Sequence, residues 1–154
     1  MKKTISFIIF VVAISGCSFR NETKTPHVGF LESFSLDNTI REMDKSGLEF
    51  RTGSMGSAGP PLKQRREFSV ELTIPDAVKG TFQPKEFLDQ LKSKIEQKLT
   101  NSGNRLTGQG YSNNSFYFNY ESGSDVGGID VTGNRTGDDR FLVWCVLRES
   151  SGGK

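Results

Sequence analysis

The stretch from Phe82 to Gly103, FQPKEFLDQLKSKIEQKLTNSG, does most to limit what this chain can become. Phe87, Leu88, Leu91, Ile95 and Leu99 recur at helical spacing and form one apolar stripe, so that side of the helix must lie against something larger. Pro84 suits the first helical position, where its missing N–H would have no partner in any case. Phe82 and Phe87 stand at the two positions of a hydrophobic staple, and Glu86 falls in the positive first turn. Lys94 and Lys98 sit near the negative end, and Gly103 supplies a left-handed stop.

The flanking segments say what the stripe lies against. FSVELTIP alternates, with Phe68, Val70, Leu72 and Ile74 facing one way, and it ends at Pro75. After the helix come RLTGQGY, SFYFNYE, GGIDVT and RFLVWCVLRE, separated by the turn-forming stretches SNN, SGSD and GNRTGDD. The order β-α-β-β-β-β predicts an α+β fold over residues 67–150, one amphipathic helix packed on an antiparallel-rich sheet. A unit of this size buries a real but modest core. Residues 151–154 are expected to be a disordered tail.

Strand alternation also assigns faces. Phe116, Phe118 and Tyr120 should meet the helix, as should Phe141, Val143, Cys145 and Leu147. Leu142, Trp144 and Val146 point the other way, joined by Tyr117, on a face where the other strands mostly show Ser, Glu, Thr, Asn or Asp. The last strand is therefore apolar on both sides. Three accounts stand open: the strand is central and covered by Phe30 to Phe50 folding back, it pairs with a second copy, or it presents a partner patch of Tyr117, Leu142, Trp144 and Val146.

Residues 17–66 read as a tether. SFRNETKTPH is polar, roughly Leu36 to Lys45 suits a short helix with Ser35 as its cap, and RTGSMGSAGPP has the composition of a flexible linker. Between them stand Phe30, Leu31, Phe34, Leu36, Ile40, Met43, Leu48 and Phe50, apolar residues with no evident use in a spacer. No internal repeat is visible.

At the start of the chain, Lys2 and Lys3 precede Ile5–Ile14, apolar except for Ser6, and the small residues Ser15 and Gly16 lead to Cys17. This is the pattern of a secretory signal. The helical rise over residues 5–16 is only about 18 Å at ~1.5 Å per residue, short of a hydrocarbon layer of roughly 30 Å. Ile14-Ser15-Gly16-Cys17 resembles the lipobox of bacterial lipoproteins, with Ile where that family usually has Leu. The resemblance covers the first residues only. It implies that residues 1–16 are a signal peptide cleaved between Gly16 and Cys17, that Cys17 carries diacylglycerol through a thioether, and that its new amino terminus carries an acyl chain such as palmitate. Several chains anchor firmly where one holds marginally, at about 0.8 kcal/mol per buried methylene. Ser18, standing where inner-membrane retention usually requires Asp, implies the outer membrane facing the periplasm in a bacterium with two membranes.

Charge and side-chain inventory narrow the function. The signal holds two of the 20 basic residues and none of the 18 acidic ones, so the mature chain is formally neutral. That argues against nucleic acid, which is bound through clustered excess Lys and Arg. With Cys17 lipidated, Cys145 is the only thiol left and no internal disulfide is available. Cys145 among apolar neighbours reads as a small core residue, not a nucleophile. His27, the only histidine, lies in the tether, too loosely held for a general base. Cys-His, Ser-His-Asp and the usual zinc sites therefore lack their parts.

Asp125, Asp130, Asp138 and Asp139 do not match a calcium loop and suit hairpin turns. GQGYSN and GSDVGG do not open a helix after a strand, as phosphate cradling requires. Lys63, Arg65 and Arg66 are too few for a lipid-binding segment and read as a solvated linker. The expectation is a membrane-anchored, non-enzymatic binding or accessory module of the cell envelope, with no catalytic, metal or cofactor residue. Its partners would be the bilayer through Cys17 and another envelope protein through the patch. Two alternatives differ in chemistry: a glycan- or peptidoglycan-binding module that stacks sugars on Trp144 and Tyr117, and an envelope hydrolase that uses Asp138 and Asp139.

Overall fold

A computed structural model describes residues 30–43, 48–52, 56–58 and 64–151. It contains the expected strand and helix order, extended at the front. The elements are α1 (Phe30–Ser33), α2 (Leu36–Met43), β1 (Glu49–Thr52), β2 (Gly56–Ala58), β3 (Gln64–Thr73), α3 (Asp76–Lys79), α4 (Pro84–Asn101), β4 (Arg105–Tyr111), β5 (Ser115–Ser122), β6 (Asp125–Arg135) and β7 (Arg140–Ser151). The sheet runs β1-β3-β7-β6-β5-β4, with β2 also paired to β3, and every pairing is antiparallel. After β3 the chain crosses through α4, which packs on β4, β5 and β6. It then returns as a meander until β7 closes beside β3. The protein is an α+β fold with its helices on one face of an antiparallel sheet.

The local chemistry of α4 is as the sequence predicts. Pro84 opens it, the Phe82 and Phe87 rings meet at 5.9 Å, and Gly103 stops it at φ +76°. Gly103 N–H donates to the Thr100 carbonyl and Asn104 N–H to the Leu99 carbonyl, closing the last turn. Phe87, Leu88, Leu91, Ile95 and Leu99 are all buried. Each such side chain contributes roughly 1.5–3 kcal/mol of transfer free energy.

The tether reading needs correction from Phe30 onward. Phe30, Leu31, Phe34, Leu36, Ile40 and Leu48 belong to the same core as α4 and the sheet. The short helix forms over Leu36–Met43, and the Ser35 hydroxyl accepts from Asn38 N–H at 3.3 Å. Within the stretch read as a linker, residues 51–52 and 56–58 are strand, and β3 begins at Gln64 instead of beside Phe68. The cause is the free edge of β3, whose backbone groups need partners that Gly/Ser composition does not reveal. The remainder of that stretch, together with residues 1–29 (Cys17 and His27 among them) and 152–154, lies outside the described residues.

The account in which Phe30–Phe50 covers the outer side of the last strand is overturned. The described helices of this segment lie on the same face as α4. The Phe30 ring meets Tyr120 edge-on at 5.7 Å, Phe34 meets Phe68 at 5.8 Å, and Glu42 of α2 pairs with Lys98 of α4 at 2.8 Å. A polar clamp fixes the short α1. Leu31 N–H donates to the buried Glu149 carboxylate at 3.4 Å, while Arg66 donates to the Leu31 carbonyl at 3.0 Å. Arg66 is thus a partner of α1, not a solvated linker residue. One helix is too narrow for this sheet, and α1 and α2 bury the apolar side chains it leaves uncovered.

Candidate functional site

With the helices on one face, the other face of the sheet is left open by the described elements. Alternation places Leu142, Trp144 and Val146 there along β7, which is central between β3 and β6. Register places Tyr117 of β5 across Asp130 from Val146. The four residues of the expected patch are therefore brought together on one surface. Trp144 is 46% exposed and Tyr117 43%, while Leu142 and Val146 are half-buried. Val126 of β6, on the same face, is 43% exposed as well.

The setting of each ring follows from its neighbours. In its row across the sheet Trp144 lies between Ser69 of β3 and Thr132 of β6, with Ser115 beyond on β5. Hydroxyl-bearing residues therefore flank the indole on both sides. Tyr117 pairs with Gly110 of β4, and a Cβ at Gly110 would overlap the Tyr117 ring. The phenol ring thus lies down over a glycine backbone, one side against the sheet and the other toward solvent. That explains the glycine that makes β4 look weak in sequence: it is the floor for a neighbour's ring.

The charges of this face are paired among themselves. Arg65 pairs with Glu67 and Arg148 with Asp130; Arg105 meets Glu121 at 2.6 Å and Arg140 meets Glu71 at 3.9 Å. All are exposed or part-exposed, so each is worth little to stability. Their consequence is that the described face carries matched charge. A shallow groove of about 360 Å³ is lined by Thr107, Asn119, Val126, Gly128, Arg148 and Ser150, together with Gly127 and the Tyr120 and Glu149 side chains that it separates.

The other residues singled out from sequence do not converge. Cys145 is buried in the core, and burial, followed by the nearby Asp130 charge, holds its thiol far above the ordinary range, so it stays protonated at neutral pH. Asp138 and Asp139 sit in the exposed β6–β7 turn, where the Asp139 carbonyl accepts from Ile74 N–H at 2.7 Å. Asp130 is engaged by Arg148. Among the described residues no three His, Cys, Asp or Glu side chains are grouped to hold a metal ion, and no helix is long and apolar enough to cross a membrane.

Sequence reasoning missed the buried pair of Tyr120 and Glu149. Tyr120 reaches across Gly127 of β6, and its O–H donates to Glu149 at 2.7 Å. Burial, then that hydrogen bond and the Glu149 charge, holds the phenol well above its usual range. Glycine opposite tyrosine on adjacent strands was the available signal, but it is readable only once register is known.

No protein-family model and no curated protein matches the sequence. Among solved structures the chain is similar to the crystal structure of LpqN involved in cell envelope biogenesis of Mycobacterium tuberculosis. The TM-score is 0.38 at 8% identity, over 77% of this chain and 86% of that one. A likeness that loose transfers nothing from one protein to the other.

Proposed function

We propose that this protein is an exported, lipid-anchored bacterial lipoprotein whose domain is a non-enzymatic docking module of the cell envelope. The anchor is Cys17, on the lipobox resemblance of residues 14–17. The docking surface is the open sheet face around Trp144 and Tyr117. One observation carries the reading: two large rings stand about half exposed on a face that the helices leave bare, while the opposite face is packed down to near-zero exposure. A soluble domain with no use for such a surface would place polar side chains there.

The test places a photo-crosslinking residue at position 144 in intact cells, with a control at the exposed Ser93 on α4. Capture of a discrete species from position 144 alone is expected, together with a native mass that shows acyl chains on Cys17 and no leader. Equal capture from both positions, or none, contradicts the docking surface. An unmodified Cys17 thiol with the leader still joined contradicts the anchor.

A further inference from the structure

We propose that the occupant of this face is an electrically neutral glycan chain that stacks on Trp144 and Tyr117 and runs on toward the groove at Gly128. The inference rests on the docking reading above and narrows its partner to one chemistry.

Charge is the first ground. Every described charged side chain near the rings already has an opposite charge beside it: Arg65 with Glu67, Arg140 with Glu71, Arg148 with Asp130. A charged partner would have to break these pairs or leave its own charges unmatched, whereas a neutral one meets a surface already balanced. The second ground is the kind of apolar surface on offer. A protein partner is usually held by aliphatic and aromatic anchors filling pockets. Here the aliphatic residues Leu142 and Val146 are half-buried, and beside the two rings only Val126, at the groove, projects to a similar degree. A sugar presents just such a partner for a ring, a flat layer of C–H bonds edged with hydroxyls.

Geometry is the third ground. Tyr117 lies over Gly110 and is 43% exposed, so much of the ring remains open to solvent. Trp144 stands two strands away and two residues along, so the Cα positions are about 12 Å apart from ordinary strand spacing. That separation exceeds a single sugar ring, so the occupant engaging both rings is a chain of several sugars, with non-adjacent units on Trp144 and Tyr117. Ser69 and Thr132 beside Trp144, and Asn119 in the groove wall, place neutral hydrogen-bonding groups where hydroxyls at the chain's edge would fall. Such groups orient a sugar without demanding charge.

The test is isothermal titration of the detergent-solubilised full-length protein with neutral oligosaccharides derived from chitin, cellulose, starch and mannan. Saturable binding of at least one is expected, weakened about tenfold by Trp144→Ala, in line with a ring contact of roughly 1.4 kcal/mol. A smaller loss is expected for Tyr117→Ala, and little change with salt. Both substitutions are on the surface, and unchanged denaturation midpoints establish that the fold is kept. Absence of binding by all four, or binding indifferent to both substitutions, overturns the inference. A crosslinked protein partner at position 144 without oligosaccharide binding, or a dimer abolished by Trp144→Ala, overturns the glycan while leaving a docking face. No capture and no binding together remove both.

Discussion

Replacing Phe141 by alanine is expected to destabilise the fold by about 3–5 kcal/mol, the range for truncating a fully buried aromatic side chain. The ring is 1% exposed and lies between Phe82 at 5.6 Å and Phe87 at 5.8 Å. It also covers Gly133, where a Cβ would stand 2.5 Å from the ring and 3.0 Å from Leu88. Removing the ring leaves a hollow with a bare glycine on one side, so there is little side chain nearby to collapse into it. Gly133→Ala should itself be destabilising, and should be better tolerated when Phe141 is already alanine. Denaturant unfolding of both single variants and the double variant measures that coupling. A loss below about 1 kcal/mol for Phe141→Ala would contradict this packing.

Gly127→Ala is expected to cost about 2–4 kcal/mol, combining overpacking with a lost buried hydrogen bond. The new methyl would overlap the Tyr120 ring, which is 1% exposed. Moving the ring pulls its hydroxyl from Glu149, and Glu149 also receives Leu31 N–H. The effect should therefore spread to α1, against a gain of less than 1 kcal/mol from stiffening the unfolded chain. Faster amide exchange across Phe30–Phe34 in Gly127→Ala checks the spread. Unchanged protection there would mean that Glu149 does not hold α1.

These two cases show where sequence reading works and where it stops. The stripe on α4 and the alternation in β5 and β7 are local regularities, and each says which side chains are buried without any knowledge of partners. The outward position of Trp144 was legible for the same reason. The destination of Phe30, Phe34 and Ile40 was not, because an apolar face says that it must be covered and not by which side of the sheet. The answer turned on Tyr120, Phe68 and Glu149, distant in sequence and adjacent only after folding. Residues 51–52 and 56–58 were hidden for another reason: their composition favours loops, and the edge of β3 makes them strand. The seating of Tyr117 over Gly110 depends on cross-strand register, which no single strand contains.

Among the described residues, one face of this sheet is packed and the other is bare. The chain has a single tryptophan, Trp144, so its fluorescence reports on the bare face alone. Long-wavelength emission is expected from the native protein, with acrylamide quenching at a substantial fraction of the efficiency seen in the denatured chain, in keeping with Trp144 at 46% exposure. Short-wavelength emission, protected from acrylamide until the protein unfolds, would show that face to be covered and would contradict this arrangement.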